Sequence, residues 1–188
     1  LNVPGRDNDG IHYAMDFLVQ QNRRVAGFPA RTDRVIDARD RQVVVIGGGD
    51  TGADCVGTAI RQGARKVTQL QYHECPPAHA DKLCYWPEPV PGCAANDHDD
   101  EGCRHIWGHD TVSFTGHGGR VTGLQLQKLL WEKTGDGPWQ KVAIPGEQRM
   151  QPAQLVMLAM GYAHPEHSVL LQDLQPALDE RGNIQATG

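Results

Sequence analysis

Val43-Val44-Val45-Ile46-Gly47-Gly48-Gly49-Asp50-Thr51-Gly52-Ala53-Asp54-Cys55-Val56 decides how the rest of the chain is read. Four consecutive β-branched residues at 43–46 have the character of a short strand buried on both faces, as inner strands of a parallel sheet are. The glycines end it. Ala53, Cys55, Val56, Ala59 and Ile60 then line one side of a helix that Gly63 stops, and Val67-Thr68-Gln69-Leu70 reads as the next strand. Strand, glycine-rich turn, helix and strand in this order make a βαβ unit. Gly47, Gly49 and Gly52 have the spacing GxGxxG, a pattern that gains force when a strand precedes it and a helix follows. Gly47 allows the tight turn, Gly49 lets the backbone approach a pyrophosphate, and Gly52 lets the helix lie close to the strand. Gly47, Gly48, Gly49, Asp50, Thr51 and Gly52 are therefore the candidate cradle for a dinucleotide, with the unpaired N–H groups of the helix start as its donors. The bland reading is a turn that merely joins strand to helix. A Walker loop would require Gly-Lys-Ser/Thr, and Asp50-Thr51-Gly52-Ala53 supplies no phosphate-binding lysine, which disfavours ATP hydrolysis.

Outward from this unit, the end of the second strand ordinarily decides between NAD and NADP, because an acidic side chain there bonds the ribose hydroxyls and repels a 2′-phosphate. Gln71 occupies the position. It can bond a hydroxyl without excluding a phosphate, Tyr72 and His73 offer modest donors, and Glu74 offers repulsion. The choice stays open between NADP and NAD, and the expected discrimination is weak. On the N-terminal side, Ile11, Ala14, Met15, Leu18 and Val19 recur at helical spacing behind Asp7, Asn8 and Asp9, which predicts a capped amphipathic helix over residues 10–22. Prolines interrupt any period between 72 and 108, so that stretch is expected to be mostly irregular loop. Alternation from Thr111 onward, with turns at 116–119 and 134–137, predicts three antiparallel strands. A last buried run over 154–160 returns to the parallel sheet. Its end, Ala159-Met160-Gly161, is at the carboxyl edge that faces a ligand crevice and is the candidate border of the nicotinamide half. The fold class expected is α/β: a Rossmann-like parallel sheet with flanking helices and an antiparallel three-stranded meander.

The composition agrees with a globular chain: 39 % of the 188 residues are hydrophobic, and the net charge is -5. That charge repels a phosphate backbone and argues against nucleic acid as a partner. No apolar run reaches membrane-spanning length. Five cysteines without a CxxC pair suit a reduced, cytoplasmic setting. Six of the nine histidines and four of the cysteines lie between His73 and His117, yet none has the paired spacing of a zinc site, so no metal is expected. Ser113 and Ser168 are the only serines and neither lies in GxSxG. Cys55, on the apolar side of its helix, reads as a core residue rather than a nucleophile. No catalytic side chain is expected.

Gly10-Ile11-His12-Tyr13-Ala14-Met15-Asp16-Phe17-Leu18, the glycine turn with Val45 and Ile46 before it, and Leu158-Ala159-Met160-Gly161-Tyr162 together resemble the small (β) subunit of glutamate synthase. The resemblance implies an NAD(P)H-binding domain inserted into an FAD-binding domain. It also implies electron flow from NAD(P)H through FAD and iron-sulfur clusters to the large subunit. Hydride transfer between nicotinamide and flavin needs no protein acid or base, which suits the lack of a catalytic residue. The family's FAD glycine motif, its FAD-binding Gly-Asp element and its cysteine-rich cluster domain are not in this sequence, and Gln71 stands where NADH-using relatives have Glu. The chain is thus expected to be one domain over residues 1–188, with a leading helix and linker at 1–40 and a dinucleotide-binding core at 41–188. It is also expected to be cut from a longer protein. It should neither bind FAD nor turn over by itself, and apolar surface meant for the missing FAD domain would favour self-association. The alternative is a non-catalytic or metal-stabilised interaction domain that kept the fold.

Overall fold

The structure, a computed structural model, describes residues 1–29, 35–75, 101–133, 135 and 139–186. Its eight strands and three helices are β1 (Ile11–Tyr13), α1 (Ala14–Val25), β2 (Gln42–Ile46), α2 (Asp50–Arg61), β3 (Lys66–Leu70), β4 (Arg104–Ile106), β5 (His109–His117), β6 (Arg120–Lys133), β7 (Trp139–Pro152), β8 (Leu155–Leu158) and α3 (Val169–Leu174). A parallel sheet has the order β1-β8-β2-β3-β4, and an antiparallel sheet has the order β5-β6-β7.

Strand parity explains the layering. In β2, Val43 and Val45 enter one core cluster with Ala14, Phe17, Cys55, Val56 and Ala59 of the helices. Val44 and Ile46 enter the other, with Phe114, Val121, Leu124 and Leu126 of the antiparallel sheet. β8 repeats the pattern in register: Leu155 pairs with Val43 and faces the helices, while Val156 pairs with Val44 and faces the meander. The apolar run at 43–46 is therefore buried on both faces, as its composition requires. The layers are helices, parallel sheet and antiparallel sheet.

Several boundaries differ from the sequence reading. Residues 11–13 are a strand rather than the first turn of a helix, because Ile11, His12 and Tyr13 pair with Val156, Met157 and Leu158 of β8. Three residues are too few for periodicity to separate strand from helix. α1 starts at Ala14 and runs on to Val25, and its buried residues are Ala14 and Phe17, whereas Met15 and Val19 are exposed. Asp7, Asn8 and Asp9 do not cap it, since Tyr13 stands at the N-cap and no side chain bonds there. The stretch read as loop contains β4, which extends the parallel sheet beside β3; residues 76–100 of it lie outside the described residues, as does most of the predicted turn at 134–137. The final buried run is a strand only over Leu155–Leu158, and α3 has no counterpart in the sequence reading.

Phe17 is 0 % exposed and joins α1 to α2 and to the sheet. Phe17→Ala should remove about 3–5 kcal/mol of stability, measured as a lower urea midpoint with an unchanged slope.

Candidate dinucleotide site

β2 ends where the turn begins, and three contacts fix its path. The Gly47 N–H donates to the Leu70 carbonyl at 2.9 Å, the Ala159 N–H to the Ile46 carbonyl at 2.8 Å, and the Gln69 carboxamide Nε2 to the Gly47 carbonyl at 2.8 Å. Gln69 is 1 % exposed on the helix-facing side of β3, so its amide requires a partner, and the turn carbonyl is that partner. Gln69 was missed in the sequence reading, although a polar residue amid the apolar positions of a buried strand was a signal that could have exposed it.

The glycines have different roles. Gly47 has φ +125°, and a Cβ on it would run into the Ala159 carbonyl. A Cβ on Gly52 would come within 2.6 Å of the Gly47 carbonyl oxygen, and one on Gly48 would overlap the Gln71 carboxamide. Gly47 and Gly52 are closed by backbone, and Gly48 only by the movable end of a side chain. Gly49 is not: a Cβ there meets nothing within 4 Å. It is the N-cap of α2, whose first intrahelical bond runs from the Ala53 N–H to the Gly49 carbonyl at 3.0 Å. The N–H groups of Asp50, Thr51 and Gly52 precede that bond and are the orphan donors of the helix start. A backbone that leaves open space in front of a positive helix end fits an anionic ligand such as a pyrophosphate.

The remaining predicted positions surround this turn. The Gln71 side chain lies against Gly48, and its backbone is tied to Ile106 and His109 of the neighbouring segments. Ala159 packs on Gly47, Met160 is exposed, and Gly161 has φ +80°. The His73 ring stacks on Trp131 of β6, with centroids 5.4 Å apart and planes within 10°, and lies 4.1 Å from the Tyr72 ring. Trp131 Nε1 donates to the Tyr72 carbonyl at 3.1 Å, and Lys141 of β7 sits over the Tyr72 ring at 5.0 Å. Trp131 and Lys141 also escaped the sequence reading, because they belong to another sheet some sixty to seventy positions along the chain.

Cys55 is fully buried, and burial, with help from Asp54, pushes its thiol up to about 12, so it is a core residue as expected. Among the described residues no three His, Cys, Asp or Glu side chains form a group able to hold a metal, and no helix is long and apolar enough to cross a membrane. A cavity of about 510 Å³ lined by His12, Arg41, His117 and Arg120 lies at the opposite, N-terminal edge of the parallel sheet, away from the glycine turn.

Over 98 % of its length this chain is 38 % identical to the glutamate synthase [NADPH] small chain of Mycobacterium tuberculosis, and over 98 % it is 33 % identical to the glutamate synthase [NADH] of Schizosaccharomyces pombe. This chain is a homologue of the glutamate synthase small chains over the segment that it spans. That segment is 37 % of the mycobacterial small chain and 9 % of the yeast protein. No family model matches the chain. Among solved structures, Mycobacterium tuberculosis FprA in complex with NADPH matches all of the chain and 51 % of its own length with a TM-score of 0.63 at 16 % identity, a likeness of fold. The Rossmann-like α/β architecture expected of the sequence is the one found.

Burial holds the imidazoles of His12, His73 and His109 below the ordinary 6.5, and Lys141 adds to the effect at His73. Below 6.5 the unfolded chain takes up protons that the folded chain refuses, so the stability these groups contribute is present above 6.5 and is lost as the pH falls through their folded values. Urea midpoints should therefore fall between about pH 7.5 and about pH 5.5, and an unchanged midpoint would contradict the neutral state of these rings.

Proposed function

We propose that residues 1–188 form the NAD(P)H-binding domain of a glutamate synthase small-chain-like flavoprotein, an oxidoreductase. The single observation that carries this reading is the opening at Gly49. Gly47 and Gly52 are glycine because a side chain would collide with backbone, whereas nothing in the protein demands glycine at 49, and a closely approaching ligand does. The coenzyme's pyrophosphate would lie over Gly47, Gly48, Gly49, Asp50, Thr51 and Gly52, held by the first-turn N–H groups of α2. Ala159, Met160 and Gly161 would border the nicotinamide half at the carboxyl edge of β8, and Gln71 and His73 the adenosine half beyond β3.

Bound nicotinamide supplies hydride chemistry, with FAD as its acceptor. The chain's own contribution is placement: donors for a diphosphate, and a sheet edge that orients the two halves of the coenzyme. FAD would be held by an adjoining domain of the same protein, and iron-sulfur clusters would carry electrons on to the large subunit for glutamate synthesis in the cytoplasm. Tyr162, Val169, Leu170 and Leu174 are each at least 65 % exposed. Such a set of apolar side chains suits coverage by that adjoining domain, and left uncovered it would favour self-association. NADP and NAD both remain open to this site, because Gln71 carries no charge. Nucleic acid is not among the partners proposed.

Gly49→Val places a branched side chain in the open space, at the cost to α2 of about 1 kcal/mol that a poor N-cap residue brings. Titration with NADPH and with NADH should show affinity reduced by more than about tenfold, with the thermal midpoint lowered only by the small N-cap cost. Affinity within about twofold of the parent would put the site elsewhere and favour an interaction domain that kept the fold.

A further inference from the structure

The pairing of β6 with β7 carries a register shift: from Gln127↔Gln148 to Leu129↔Ala143, β6 advances two residues and β7 five, so the extra residues are in β7 and the alternation of β6 continues. On one side of β6 Gln127 and Leu129 are buried and Trp131 is half-buried, while Lys128 and Leu130 between them are exposed. The Trp131 Nε1 reaches the Tyr72 carbonyl, and Lys141, paired directly across from Trp131, lies on the same face. Gln127 secures the shift: its Nε2 donates to the Ile144 carbonyl at 2.7 Å, and its Oε1 accepts from Gln148 at 3.0 Å.

The outcome is a cluster of Tyr72, His73 and Trp131 at the carboxyl end of β3 with the Lys141 ammonium over the Tyr72 ring. In a βαβ dinucleotide unit the adenosine ribose lies beyond the end of this strand. Gln71 brings no charge there and Glu74 brings the wrong one for a phosphate. Among the described residues Lys141 is the ammonium over the Tyr72 ring, and it lies 3.3 Å from Asp110 Oδ2. That pair is 43 % exposed on both sides, so solvent screens it and Lys141 can leave it readily. Asp110 is the fixed member, since its Oδ1 also accepts the Thr111 N–H at 2.9 Å. The lysine stem is the flexible one.

Resting on the coenzyme reading above, we propose that Lys141 is the specificity-determining residue of this site. It donates to the 2′-phosphate of NADP(H) beside the Tyr72, His73 and Trp131 rings, in competition with Asp110. A dianionic phosphate outbids one carboxylate for the ammonium, but only by their difference, so the preference for the phosphorylated coenzyme is real and modest. Asp110 sets its size.

The test is equilibrium displacement of bound coenzyme from the full-length protein by two probes, 2′,5′-ADP and 5′-AMP. Lys141→Met should weaken 2′,5′-ADP by about tenfold and leave 5′-AMP within about twofold. Asp110→Asn should strengthen 2′,5′-ADP alone, and Lys141→Arg should retain most of the preference. Raising the salt concentration should erode 2′,5′-ADP binding in the parent much more than in Lys141→Met. Equal effects of Lys141→Met on both probes, or none on either, would overturn the assignment while coenzyme binding stands. If neither NADP nor NAD binds the parent protein, the coenzyme reading falls and this assignment with it.

Discussion

A strand whose four central side chains are between 0 % and 8 % exposed needs a layer on each side, and the rest of the architecture meets that need. Val43 and Val45 require the helices; Val44 and Ile46 require the meander. Leaving either face of β2 bare would forgo roughly 1.5–3 kcal/mol for each side chain exposed. β8 lies beside β2 under the same double demand, and β1 is held at the edge by pairing with β8. Three layers packed around two fully covered strands also determine where chemistry can occur. Both broad faces of the parallel sheet are occupied, so a ligand is left with an edge, and the carboxyl edge is where the glycine turn sits.

At that edge the protein supplies backbone rather than side chains. Holding a turn in one conformation so that its N–H groups point outward requires its other polar atoms to be satisfied inward. The Gly47 carbonyl receives the Gln69 amide, the Gly47 N–H goes to Leu70, and the Ala159 carbonyl presses on the Gly47 Cα where a side chain would otherwise stand. Gln69 thus does from inside the sheet what a capping residue does from outside a helix. Replacing it by an apolar side chain would leave the turn carbonyl buried without its donor, a cost borne by the site's geometry as much as by stability.

How much of this was legible follows from the scale of each signal. The four β-branched residues, the glycine spacing and the apolar side of α2 are dense, contiguous patterns, and they placed β2, the turn, α2 and β3 within a residue or so. β1 and β4 are three residues each, and their strand character comes from β8 and β3 beside them, which no local pattern records. The helix 14–25 was found but turned on its axis: Phe17, not Met15 or Val19, faces the core. Its N-terminus lacks a capping side chain because the chain enters directly from a paired strand, which made the Asp7, Asn8 and Asp9 signal misleading. In the site, glycines were readable because a missing side chain is a strong constraint. Gln69 was hidden because a single amide within an apolar strand looks like an ordinary strand residue until its partner is seen.

The two sheets divide the labour in a way that separates binding from choice. In the reading proposed above, donors for a diphosphate come from the βαβ unit, whose turn is held by backbone bonds and by the Gln69 amide within the same unit. Residues that could tell one coenzyme from another need charge, and the strand end that would ordinarily carry it has the neutral Gln71, whose side chain lies against Gly48. Charge reaches that neighbourhood from the meander instead, where Trp131 bonds the Tyr72 carbonyl and its cross-strand partner Lys141 lies over the Tyr72 ring. Across the register shift β7 has three more residues than β6, an odd number, so the shift decides which face of β7 Lys141 occupies opposite Trp131. Selectivity placed on a separate layer can change by substitution at the tip of a hairpin without disturbing the turn that holds the phosphates.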